Sequence, residues 1–282
     1  MILDIHSNIV SRDWLYKNLG NLNLVILDAT MKKKANSESI PIPTLKIPGS
    51  KKFNFDTEIC DQNTELPHML CTPVEFQQSV RQLGVYSDSI IVVYDAMGIF
   101  SSPRAWWMFK TMGHEKVYVL DGGLPKWIEA GLPTNQEYSS TATKELGNFE
   151  SQFKPHMVYS SNEVLSAIDI DEIQIFDARS IGRFNGVEPE PRAGLKSGHI
   201  PSSQCIPFTE VISEGYFKEK EVLKNIFNGK IKNNAKELVF SCGSGVTASI
   251  LALVADECGY KKIAIYDGSW SEWGDDSLLP KE

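Results

Sequence analysis

Short apolar runs alternate with amphipathic stretches along most of this chain. "SIIVVYD" (89–95), "EIQIFDAR" (172–179), "ELVFSC" (237–242) and "KKIAIYDG" (261–268) are continuous enough to predict strands buried on both faces. The stretches between them read as helices. Ser160 and Glu163 stand at capping-box spacing ahead of one, and Thr72, Pro73 and Glu75 open another that Gly84 ends. From residue 246 to 258, Ile250, Leu251, Val254 and Cys258 fall on one helical face before Gly259. Alternating strand and helix predicts an α/β fold, with mainly parallel sheets flanked by helices on both faces. Such sheets present ligand sites at the carboxyl ends of their strands.

The pattern occurs twice. "VILDATMKKK" (25–34) matches "QIFDARSIGR" (174–183), setting Asp28 against Asp177. "KIPGSKKFNFDTE" (46–58) matches "HIPSSQCIPFTE" (199–210), and "IIVVYDAMGIFSSPRA" (90–105) matches "ELVFSCGSGVTAS" (237–249). "KVYVLDGGLPKW" (116–127) matches "KIAIYDGSWSEW" (262–273). Two copies are too few for a solenoid, so the reading is two globular domains of one fold. The polar stretch at 132–148 reads as an exposed connection. The expected domains are 1–135 and 156–282, joined by a linker at 136–155.

Composition narrows the class of partner. A net charge of -8 over 282 residues argues against nucleic acid and anionic membrane surfaces, which need a cationic footprint. The Lys32, Lys33 and Lys34 run reads as a solvated turn. The N-terminal stretch has neither the charge nor the apolar core of a signal peptide, and the longest apolar run, around 248–255, is too short to span a bilayer. Five cysteines without CxxC spacing fit neither a disulfide framework nor a zinc site, and predict reduced thiols in the cytoplasm.

One cysteine stands apart. In "VFSCGSGVTAS" (239–249), Cys242 ends a strand and Gly243, Ser244, Gly245, Val246 and Thr247 lead into a helix. A short loop of this kind leaves backbone N–H groups free at a helix start, and if it curls they converge into an anion nest. A thiol at its first position would be held as thiolate. A buried structural cysteine in an ordinary turn is the alternative. The other copy bears on it: Asp95 fills the same place in a longer loop, so the turn can be built without cysteine. A cysteine phosphatase would need an arginine closing the cradle, where this chain has Ala248.

The twofold repeat, "GHIP", "CGSGVTAS" and "YDGSWSEWG" resemble the rhodanese-type sulfurtransferases, from about residue 10 to 275. The neutral Gly-Ser-Gly after the cysteine resembles the mercaptopyruvate branch, whose active C-terminal domain follows an inactive N-terminal one. The resemblance implies two tandem rhodanese-like domains and a persulfide formed on Cys242, with no metal and no organic cofactor. It implies that Arg183 and Arg192 hold the carboxylate and carbonyl of 3-mercaptopyruvate, a geometry suited to planar guanidinium groups. It also implies that Asp56, His68 and Ser244 act as a triad, with Asp61 a weaker candidate than Asp56. Gly243, Gly245, Val246 and Thr247 then complete the substrate loop. A thiol such as thioredoxin or a small thiol, or cyanide in an assay, is the implied acceptor. Arg179 and His199 are expected to be structural, Cys71 incidental, and Trp106, Trp107 and Phe109 packing residues. Thiosulfate as main donor, and a non-catalytic sulfur carrier, are the alternatives.

Overall fold

The computed structural model describes residues 5–31, 43–139, 146–275 and 277–282. The Lys32–Lys34 run and residues 140–145 of the expected linker lie outside the described residues. The chain divides into two compact units. The first comprises Met1–Gln62, Leu70–Phe153 and Glu214–Phe217; the second comprises Asn63–Met69, Lys154–Ser213 and Lys218–Glu282. Two short segments, 63–69 and 214–217, therefore count with the unit distant from them in sequence.

In chain order, the first half contributes β1 (Ile9–Val10), α1 (Arg12–Asn18), β2 (Leu24–Asp28), β3 (Lys51–Lys52), α2 (Pro73–Gln82), β4 (Ile90–Tyr94), α3 (Ser102–Thr111), β5 (Val117–Leu120) and α4 (Gly123–Glu129). The second contributes β6 (Val158–Tyr159), α5 (Ser161–Ala167), β7 (Ile173–Asp177), α6 (Ile181–Phe184) and β8 (Gln204–Cys205). The two-residue strands β9 (Ile212–Ser213) and β10 (Tyr216–Phe217) follow, then α7 (Lys220–Asn228), β11 (Glu237–Ser241), α8 (Ala248–Cys258), β12 (Ile263–Tyr266) and α9 (Ser269–Trp273).

Each unit holds one five-stranded, all-parallel sheet, in the order β1-β5-β4-β2-β3 in the first and β6-β12-β11-β7-β8 in the second. Position for position, the two orders are the same. In the second unit β11 lies centrally, with Ser241 opposite Asp177 of β7. Its side chains alternate between faces, as pleating requires. Val239 joins Val164 of α5 and Trp270 and Trp273 of α9 on one face. Phe240 points to the other, stacked on Phe176 at 5.8 Å and edge-on to Phe227 of α7 at 6.2 Å. α8 is buried from Ala248 to Ala255 and stops at Gly259, whose left-handed φ of 99° suits glycine. The first unit repeats the plan. Leu15, Leu124 and Trp127 cover one face of its sheet. Phe76 and Phe109 meet at 5.1 Å, and Trp106 and Trp107 are buried with Phe109, in the packing role expected for them. The capping box expected at Ser160 is present, and Thr72 and Glu75, expected to open α2, form a second.

Candidate active site

Cys242 follows the last residue of β11 at the carboxyl edge of the second sheet and is 1% exposed. The loop from Cys242 to Thr247 is shaped from outside by α9. Trp270 N donates to the Cys242 carbonyl (2.9 Å), and Ser271 donates to the Gly243 carbonyl from N (2.9 Å) and Oγ (2.5 Å). Ser249 Oγ donates to the Gly245 carbonyl (2.9 Å) and Ser249 N to that of Val246 (3.1 Å). The peptide groups are trans, and a trans peptide points its N–H opposite to its C=O. Fixing these four carbonyls outward therefore turns the amides of Gly243, Ser244, Val246 and Thr247 the other way. Among the described residues none of those four amides has a protein partner. The amides of Cys242 and Gly245 instead donate to Ser269 Oγ, at 3.2 and 3.0 Å. The cradle is thus built from some of the loop amides rather than all of them.

The two loop glycines serve different ends. Gly245 has φ +73°, the left-handed region. Gly243 makes room: a Cβ there would lie 3.3 Å from Arg183 Nη2 and 3.7 Å from Arg192 Nη1. Both expected arginines therefore face the loop. Arg192 Nη2 also donates to Ser244 Oγ at 3.4 Å, and His68 Nδ1 lies 2.9 Å from the same oxygen. Arginine can only donate, so the serine oxygen accepts from Arg192 while its O–H is available to the imidazole nitrogen. His68 is buried and holds φ +64°, a conformation non-glycine residues rarely take outside constrained sites. It reaches Ser244 within the second unit, to which segment 63–69 belongs. Asp56 belongs to the first unit and is half-buried in the turn that follows Phe55; Asp61 is also in that unit.

Arg183 is itself held. Glu190 accepts from Arg183 Nε (3.1 Å) and Nη2 (2.5 Å), and from Arg179 Nη1 (2.8 Å). Arg179 is buried, forks onto Asp177 at the end of β7, and lies 4.2 Å over the Trp270 ring. Burial pulls the Arg179 guanidinium down, but the Asp177 and Glu190 carboxylates outweigh it and raise its pKa. Arg179 is structural, and so is His199, which stacks on Phe184 at 3.8 Å and bonds its carbonyl. Glu190, Ser269 and Ser271 went unnoticed in the sequence. Glu190 reads as one more acid in a polar loop, and nothing in "GVEPEPRAG" distinguishes it. Ser269 did leave a trace, since the matched block of the first copy has Gly123 in its place.

Against known proteins, residues 11–130 and 160–276 each match the Rhodanese-like domain. "3-mercaptopyruvate sulfurtransferase" of Escherichia coli K12 is 38% identical, over 97% of this chain and 97% of that protein. "Thiosulfate/3-mercaptopyruvate sulfurtransferase 1, mitochondrial" of Arabidopsis thaliana is 39% identical, over 97% of this chain and 78% of that protein. The crystal structure of the 3-mercaptopyruvate sulfotransferase SseA from E. coli superposes with a TM-score of 0.81 and 34% identity, covering 94% of this chain and 99% of that one.

Proposed function

Because the chain belongs to the rhodanese-like sulfurtransferases, enzymes that move a sulfur atom, we propose that it takes that atom from 3-mercaptopyruvate through a persulfide on Cys242. The Cys242 thiolate attacks the substrate's thiol sulfur and forms an S–S bond. The C–S bond breaks, its electron pair stays on carbon, and pyruvate leaves as the enolate, which then takes up a proton. An acceptor thiolate, or cyanide, attacks the outer sulfur and releases the Cys242 thiolate, which is covalent ping-pong catalysis. Arg183 and Arg192 bind the carboxylate and carbonyl and stabilise charge developing on the enolate oxygen.

The observation that carries this reading is the setting of Ser244, with His68 Nδ1 at 2.9 Å and Arg192 Nη2 at 3.4 Å from one hydroxyl, two residues after Cys242 in its loop. It supports a proton relay of Ser244 and His68 serving a substrate whose oxygens Arg192 binds. The role of Asp56 as the acid of that relay rests on the family pattern. Thioredoxin or a small thiol is the proposed acceptor, and the cytoplasm, a thiol-reducing compartment, the proposed location, open to fractionation.

Incubation with 3-mercaptopyruvate and a reducing thiol is expected to yield pyruvate and sulfide in equal amounts. Cys242→Ser removes the nucleophile and is expected to cost at least ~10³-fold in kcat. Ser244→Ala, His68→Gln and Asp56→Asn are expected to lower kcat by roughly 10- to 100-fold while persulfide still forms. A Cys242→Ser protein with full activity would end this mechanism. The Arabidopsis relative carries thiosulfate in its name, so that donor is the second reading. The neutral loop lacks cations for a dianion, and kcat/KM is expected to favour 3-mercaptopyruvate.

A further inference from the structure

The turn that opens α9 offers an unusual comparison within one chain. Ser269 has φ +50°, and Gly123, at the matched position of the first unit, has φ +54°. A left-handed backbone is what glycine supplies without a Cβ penalty, and the first unit uses glycine there. The second unit keeps the same backbone conformation with a serine. A strained residue that persists where an unstrained alternative exists points to work done by its side chain.

That side chain is saturated. Ser269 Oγ accepts from Cys242 N and Gly245 N, and donates to the Tyr266 carbonyl at 2.8 Å. It ties the first and fourth residues of the loop to one point. Next to it, Trp270 N holds the Cys242 carbonyl, as Leu124 N holds that of Asp95 in the first unit at 3.0 Å. The third contact has no such counterpart. Ser271 grips the Gly243 carbonyl from both N and Oγ, whereas the matched residue, Pro125, has no N–H to give. The copy that carries cysteine thus has both serine contacts, and the copy that carries aspartate has neither.

We propose that Ser269 and Ser271 are positioning residues of the sulfur-transfer site, which clamp the Cys242 loop so that its remaining amides face the sulfur. This rests on the sulfur-transfer reading of Cys242. The clamp acts through peptide planes. Holding the Cys242 and Gly243 carbonyls against α9 commits the Gly243 and Ser244 amides to the opposite side. Without Ser269 Oγ, two buried amides lose their acceptor and the loop must turn them elsewhere. The field that favours an anion at the loop's focus would then scatter.

The test uses the full chain and Ser269→Gly, which keeps the backbone conformation and deletes only the hydroxymethyl group. The readouts are the pH dependence of iodoacetamide alkylation at Cys242, located by peptide mass, and steady-state kinetics with 3-mercaptopyruvate. The expected result is slower alkylation of Cys242 than in the wild type, with kcat reduced roughly tenfold or more and KM little changed. Ser271→Ala, which loses only the Oγ contact, is expected to shift both in the same direction by less, and it carries the test should Ser269→Gly fold poorly. Wild-type alkylation profiles and kcat in the variants would overturn the clamp. Alkylation needs no sulfur donor, so a wild-type protein inactive on 3-mercaptopyruvate would sink the sulfur-transfer reading and still leave the loop's effect on the thiol measurable.

Discussion

A thiol's surroundings decide whether it is chemistry or packing, and this chain supplies its own contrast. Cys71 and Cys205 are buried, and burial pushes both thiols up to about 12. Nearby acids, Glu75 for Cys71 and Asp177 for Cys205, push in the same direction. At pH 8 such a thiol is thiolate in only about one molecule in 10⁴. Iodoacetamide at pH 8 is therefore expected to leave both unlabelled in the native protein and to label both once guanidinium unfolds it. Rapid labelling of either in the native state would contradict their raised pKa. The sign for stability follows from the same shift. The folded pKa stands above the ~8.5 of an unfolded thiol, so the contribution is complete below that pH and is lost as pH rises toward 12. The sequence reading of Cys71 as incidental to the chemistry agrees with this setting.

At the scale of elements, Arg183, one of the two arginines proposed to bind substrate, hangs from a chain of charges that begins in the sheet. β7 ends at Asp177, Asp177 holds Arg179, Arg179 holds Glu190, and Glu190 holds Arg183. The Arg179, Asp177 and Glu190 side chains are at most 2% exposed, while Arg183 is 21% exposed and so the reachable end. Glu190→Gln removes the charge that both arginines share. It is expected to raise KM for 3-mercaptopyruvate and to lower kcat, each by several-fold to roughly tenfold, because it loosens a group proposed both to bind the substrate and to stabilise the developing enolate charge. It should also lower stability by about 1–3 kcal/mol, read in urea, since Arg179 loses one of two charged acceptors in the interior. An unchanged KM would mean that Arg183 needs no such support. The elements that frame this chain were legible in the sequence because their signals are local: buried runs for β7 and β11, capping boxes for α2 and α5, Gly259 for the end of α8. The contact of His68 with Ser244 was not legible from spacing, since 176 residues separate them. Only the family resemblance named that pair. Glu190 was invisible for a different reason: its partners Arg179 and Arg183 lie only 11 and 7 residues away, but nothing local shows that it meets both.

At the scale of the whole chain, duplication sets two versions of one strand-end loop in the same molecule, one carrying Cys242 and the other Asp95. The repeated blocks were visible because buried parallel strands and their flanking turns keep their pattern in both copies, and the identical strand orders follow from it. The fate of the first site needed coordinates. Asp95 Oδ2 accepts the amides of Phe100, Ser101 and Ser102 and the Ser102 hydroxyl, and Oδ1 accepts the amide of Met97. The end of β4 is therefore still an amide cradle, filled by the chain's own Asp95 carboxyl, whose pKa burial pushes up. This predicts that cysteine alone cannot restore the site. In a Cys242→Ser background, Asp95→Cys is expected to gain no sulfur from 3-mercaptopyruvate, checked by the intact mass of the treated protein. The thiol would stand in a loop without the two serine contacts, since Gly123 has no hydroxyl and Pro125 no N–H. The same substitution is expected to cost about 2–4 kcal/mol, because several buried amides lose their acceptor. A persulfide at position 95 would show that an amide cradle and a thiol suffice. Its absence, with the fold intact, would show that a thiol in an amide cradle is not sufficient, as expected if sulfur transfer also needs the arginines and the α9 contacts that surround Cys242.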